Sequence, residues 1–236
     1  GDECAGRADR ADTILPASRI FLRASEAFNM PAVVAPGVGL KEGILLELAD
    51  KHFHTWDASG ASESVLDACV RLGRRYRFDE AHGDRVATFA GHLFDATAQL
   101  HNLGPRERLL LRAAAWLHDV GDFVRYDGHH KHTYYIIQNS DLVGLTALER
   151  AVVANVARYH RKSLPVMDHP NFRSLEKDER AKVRVLAALL RIADALDREH
   201  LGKVQRVSAV VQGQKLLLEL TGSADRELEE WTVLAK

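Results

Sequence analysis

Long apolar runs are missing from this chain: none approaches the ~20 residues that a membrane span requires. The opening stretch, GDECAGRADR, has no hydrophobic centre of a secretory signal. Membrane partners are therefore not expected. Cysteine is scarce: Cys4 and Cys69 are the two in 236 residues, too few for a disulfide framework, so a reducing cytoplasm is the expected location. Charge of one sign is also missing. A net charge of -1 supplies no broad basic face, and no nucleic-acid partner is expected. What is present is a 46% hydrophobic fraction, enough for the core of one large domain or two small ones and too much for global disorder. Histidine is abundant, with 12 residues.

Three regions follow from periodicity. Residues 1–56 read as mixed α/β: a helix over Ala17–Phe28, a short buried strand Ala32–Ala35, a turn at Pro36–Gly39 and a helix over Lys41–His54. One strand without a partner implies the tail of something larger. The small polar run Asp57–Ser62 reads as a linker. Residues 62–201 are helical in pattern. Helices are expected over Asp79–Leu100, over Pro105–Val120, from near Lys131, from the capping box Thr146–Glu149 to His160, and over Asp178–Asp197. Residues 202–236 change period: two β-rich runs flank Gln212-Gly213, and a helix covers Ala224–Trp231. Such a hairpin needs a packing partner.

The chemistry lies on core-facing positions. His82 precedes Val86 by four residues on one apolar stripe, and His118 ends the second helix beside Asp119. Val183, Leu186, Leu190 and Asp194 step by three and four residues, which turns the Asp194 carboxylate into the core. A buried carboxylate needs a cation or strong donors. Arg191 and Arg198 on the same helix are one source; a metal is the other. Imidazoles with carboxylates suit a divalent ion that keeps open positions for water or phosphate. Among Mn, Mg, Fe, Ni and Zn the residues do not choose.

The pattern His82…His118-Asp119…Asp194, in the contexts AWLHDVG and RIADALD, resembles the HD superfamily of metal-dependent phosphohydrolases. The resemblance implies a helical bundle with His82, His118, Asp119 and Asp194 as ligands and Asp119 as the catalytic carboxylate. In members with two metals, histidines placed like His132 and His160 complete the second site, with His130 in reserve.

A narrower resemblance covers nearly the whole chain. Tyr126 to Asp141, Arg158 to Lys162, Arg7 to Pro16 and Gly39-Leu-Lys-Glu-Gly43 are similar to the C-terminal half of the exopolyphosphatase/guanosine pentaphosphate phosphohydrolase (Ppx/GppA) family, with lysine at 41 where the family has arginine. This implies a mainly α chain: 1–56 as the tail of an actin-like phosphatase lobe, 62–201 as an HD-type helical domain, and 202–236 as part of a small α+β lobe. It implies phosphatase activity on polyphosphate or pppGpp and a homodimer. The family's catalytic cleft lies between two actin-like lobes, and its glycine-rich phosphate loops are absent from this sequence. The chain is thus expected to be a fragment that keeps the HD site.

Basic residues flank that site. Arg161 and Lys162 follow His160, and Arg85 lies one turn after His82; all three are candidates for contacting phosphate. Three functions fit: an accessory half of a polyphosphate or pppGpp phosphatase, an independent phosphohydrolase of nucleotides or phosphomonoesters, or a nucleotide-sensing module without turnover.

Overall fold

A computed structural model describes residues 11–30, 44, 58–213 and 215–236. The chain divides into two compact units, Gly1–Trp56 and Asp57–Lys236. In the first, helix α1 spans Ala11–Ala27 and starts before the expected Ala17. Its large apolar side chains Ile20, Phe21 and Leu22 are exposed. The strand expected at Ala32–Ala35 and the turn at Pro36–Gly39 lie outside the described residues, as does the helix at Lys41–His54 except for helical Ile44.

The second unit is a helical bundle with one hairpin. Helix α2 (Ala58–Arg75) buries Val65, Ala68 and Cys69. The stretch read as a linker is therefore helical from Ala58 onward, because these apolar positions at helical spacing carry the helix back into the small polar residues. Helix α3 (Glu80–Ala96) opens on Asp79, whose side chain accepts from the His82 N–H at 3.0 Å. The expected single helix through Leu100 breaks at Thr97. Its hydroxyl donates to the Leu93 carbonyl at 2.7 Å, a back-bond that weakens helix continuation. The short α4 (Ala98–His101) then ends on left-handed Asn102.

Helix α5 (Pro105–Leu117) is central. Ala113, Ala114 and Ala115 are fully buried, and these small side chains let α2 and α3 approach from several sides. A 3-10 turn follows at Val120–Phe123, then α6 (His129–Gln138) and α7 (Ala147–Arg158). The expected capping box forms at the start of α7, with Thr146 and Glu149 bonded reciprocally. Glu149 also pairs with Arg106 Nε at 2.6 Å, which ties the starts of α5 and α7. After the one-turn α8 (Pro170–Arg173), α9 (Lys177–Ala195) buries Val183, Leu186, Leu190 and Asp194 on one face.

The hairpin pairs β1 (Val204–Gln212) with β2 (Lys215–Gly222) antiparallel, Val207 opposite Leu220 and Ala209 opposite Leu218. Its partner is α3, with Val204 and Val207 buried. Helix α10 (Glu227–Leu234) packs on α9. The hairpin and α10 thus belong to the same unit as the bundle.

Candidate metal centre

Four buried imidazoles converge, and each is aimed by a hydrogen bond at Nδ1. His82 Nδ1 lies 2.8 Å from Asp197 Oδ2. His129 Nδ1 bonds the Tyr126 carbonyl at 3.1 Å and lies 2.5 Å from Asp122 Oδ1. His118 and His160, each just past a helix end, turn Nδ1 back to the carbonyls of Ala115 and Ala157, both at 2.7 Å. Carbonyls and carboxylates only accept, so each Nδ1 carries a proton, and each ring in its neutral form keeps a lone pair at Nε2.

Those lone pairs face one another in two pairs. His82 and His118 bring their Nε2 atoms to 3.1 Å, and His129 and His160 to 3.2 Å. Asp119 divides its carboxylate between the pairs. Oδ2 is 3.4 Å from His118 Nε2 and 3.8 Å from His82 Nε2; Oδ1 is 3.2 Å from His129 Nε2 and 3.4 Å from His160 Nε2. Asp194 Oδ1 joins the first pair at 3.6 Å from His118 Nε2. Asp119 Oδ1 is buried and accepts no hydrogen bond. Facing lone pairs beside an unsatisfied carboxylate oxygen require positive charge between them. The sets His82–His118–Asp194 and Asp119–His129–His160 each hold their donor atoms within 4.8 Å of one another, and the chemistry of both fits a divalent ion.

The carboxylates also draw protons onto two of these rings, and a bound ion would have to displace the protons from Nε2. Burial disfavours the charged form of Asp194, yet His118 beside it holds its carboxyl well below the usual range. Burial would lower His118, but Asp119 and Asp194 outweigh it and push His118 up to about 9. His129 is likewise pushed up to about 9, against burial, by Asp119 and Asp122. Burial drives His160 down to about 3 despite Asp119.

The local folding that places these groups is specific. Gly121 N–H donates to Thr133 Oγ1 at 3.0 Å, and that hydroxyl donates to the His118 carbonyl at 2.8 Å. This clasp brings the first residue of α6, His129, against Asp119. A cavity of about 180 Å³ opens beside the cluster, lined by Asp119, His160, Arg161, Asp194, Arg198 and His200 among others.

Residues 67–234 match the family model for Ppx/GppA phosphatase, domain III. The chain belongs to the Ppx/GppA phosphatase family. It is 27% identical over 206 residues to the guanosine-5'-triphosphate,3'-diphosphate pyrophosphatase of Vibrio cholerae serotype O1, covering 86% of this chain and 39% of that protein. The Aeromonas salmonicida protein of the same name is 28% identical over 215 residues, 88% of this chain and 40% of its own length. The chain thus spans about two-fifths of the length of these curated relatives. The family resemblance in the sequence is confirmed.

Within this Ppx/GppA chain the structure brings together five of the expected ligands: His82, His118, Asp119, Asp194 and His160. His132 is not among them. Helix α6 starts at His129, earlier than expected, and only its first residue reaches Asp119; His132 is half-buried further along the helix. His130, half-buried, is also outside both sets. Arg161 lines the cavity, its guanidinium 5.7 Å from the centre of the Tyr126 ring. Arg85 does not line the cavity. It holds Asp197 Oδ2 at 2.7 Å and the His200 carbonyl at 2.9 Å. Lys162 is exposed, in left-handed backbone, and its carbonyl accepts from Arg191. Asp197, Asp122 and His200 were not singled out from sequence, and Arg198 only as a possible partner of Asp194. Asp197 had a signal: it follows Asp194 by three residues, on the same helical face.

Proposed function

We propose that this chain is the C-terminal part of a Ppx/GppA phosphatase acting on guanosine pentaphosphate or polyphosphate, and that residues 62–201 form an HD-type domain with its own divalent-metal centre for phosphate esters. The reading takes 1–56 as the tail of an actin-like lobe, 202–236 as a small appended lobe, and the intact protein as a cytoplasmic homodimer. Among the described residues no helix is long and apolar enough to cross a membrane. The curated relatives are named for a guanosine nucleotide carrying a 5'-triphosphate, and this name is the ground for the nucleotide.

One observation carries the metal centre: Asp119 divides its two oxygens between two pairs of facing imidazoles. His82, His118, Asp119 and Asp194 would hold one ion; Asp119, His129 and His160 would hold the second. A bound divalent ion lowers the pKa of water and offsets charge on phosphoryl oxygens. The chain's own residues supply the rest. Asp197 and Asp122 fix two of the rings. Arg161 and Arg198 at the cavity wall are placed to take phosphoryl oxygens by charge-assisted hydrogen bonds.

Elemental analysis of chelator-free protein tests the centre. One or two equivalents of a divalent ion are expected in wild type, with loss in Asp119→Ala. Equal metal content in the two proteins would exclude these ligands.

A further inference from the structure

His200 forms a third possible ligand group with His82 and Asp119, apart from the two pairs of facing imidazoles, and it lines the same cavity. It follows α9 and has φ 61, a left-handed conformation uncommon for a residue with a side chain. Its neighbours hold it there. Its N–H donates to the Asp197 carbonyl at 3.0 Å, and its own carbonyl accepts from Arg85 Nη2 at 2.9 Å.

The ring is equally constrained. His200 Nδ1 lies 3.2 Å from Asp79 Oδ2. A carboxylate only accepts, so Nδ1 is the donor, and in the neutral ring Nε2 is left as an acceptor. The ring is stacked on His82, with centroids 3.5 Å apart and planes within 5°. An imidazole lone pair lies in its ring plane. Two parallel rings one layer apart cannot aim lone pairs at one ion, so an ion held by His82 is out of line for His200. Nevertheless a donor atom of His200 lies within 4.8 Å of those of His82 and Asp119. The ring is therefore next to the centre without being aimed at it, and with Nδ1 engaged by Asp79, Nε2 is the nitrogen left for a ligand.

We propose that His200 contacts the ligand of the centre and not the centre itself: Nε2 accepts a hydrogen bond from the P–OH of a protonated phosphoryl group, while Arg161 and Arg198 take its anionic oxygens. Asp79 is the positioning residue that fixes the ring's tautomer. The inference rests on the metal-centre reading above. It also gives His200 a specific consequence, preference for phosphate over sulfate, which has the same shape but carries no proton at neutral pH.

The test uses the full metal-loaded chain at pH 7, titrated calorimetrically with inorganic phosphate and separately with sulfate, beside elemental analysis. Wild type is expected to prefer phosphate. His200→Ala should lose about tenfold in phosphate affinity, the worth of one such hydrogen bond, with sulfate affinity and metal content unchanged. His200→Asn should do the same and keeps a residue tolerant of the left-handed backbone. Asp79→Asn retains the helix cap but offers an amide N–H to Nδ1, and should narrow the phosphate preference. Unchanged phosphate affinity in both His200 variants, with metal bound, would overturn this inference alone. Loss of metal in both would make His200 a ligand and overturn it too. A wild-type chain that binds no metal would remove the centre, and this inference with it.

Discussion

Gly121 and His129 approach so closely that a Cβ on the glycine would overlap the His129 carbonyl oxygen and the Thr133 N–H. The glycine is therefore required by packing between the 3-10 turn and the start of α6. Gly121→Ala should destabilise the fold by about 1–3 kcal/mol, the usual range for overpacking. It should also loosen the His129–His160 pair more than the His82–His118 pair. Metal titration checks this: the second equivalent is expected to weaken first, and equal weakening of both would contradict it.

Asp197 is fully buried and gathers three donors: His82 Nδ1, Arg85 Nε, and the Gly202 N–H at 2.8 Å. Removing it frees the His82 ring to rotate and leaves Arg85 with the His200 carbonyl but without its carboxylate. Asp197→Ala should lower metal affinity by about 10–100-fold, as is typical when a carboxylate behind a metal-bound histidine is lost. Calorimetric titration reads the change. Unaltered affinity would show that helix packing alone orients His82.

His160 and Arg161 are adjacent and lie just past α7, which closes at Arg158 and not at the expected His160, so no helical rotation sets their directions. The structure buries His160 and leaves Arg161 half-buried at the cavity wall. Their variants should part company. His160→Ala should reduce metal occupancy. Arg161→Ala should leave metal content unchanged and weaken phosphate binding by about 1.5–3 kcal/mol, the worth of a hydrogen bond to a charged group. Wild-type behaviour from both would separate this end of α7 from the centre.

Cys69 is a free thiol inside the core, and burial pushes its pKa up to about 12. The folded state therefore favours the neutral thiol. Its contribution to stability is fully present below the unfolded value of about 8.5 and is lost as pH rises through about 12. At pH 8.5 the thiolate fraction should be lower in the folded than in the unfolded chain by about three orders of magnitude. In a Cys4→Ser background, alkylation should be slow until denaturant is added. Rapid labelling of the native chain would show that α2 opens.

Several features were legible in the sequence because local rules govern them. The apolar steps of α9 pointed Asp194 inward, Pro105 opened α5, and the Thr146–Glu149 box opened α7. His82 and the His118-Asp119 pair could be read from the same periodicity, and the family resemblance came from short motifs around them. Other features depended on contacts distant in sequence. Whether His129 or His132 meets Asp119 is decided by the clasp of Gly121, Thr133 and the His118 carbonyl, which no helical period encodes. Arg85 looked like a phosphate contact because its partner Asp197 is 112 residues away. His200 drew no reading from the sequence, because its two ring partners, Asp79 and His82, lie more than a hundred residues away. Sequence periodicity determines which face of a helix is buried. Only the packing of one helix end against another decides which polar group on that face finds a partner, because hydrogen bonds and metal ligation demand contact within about 3 Å.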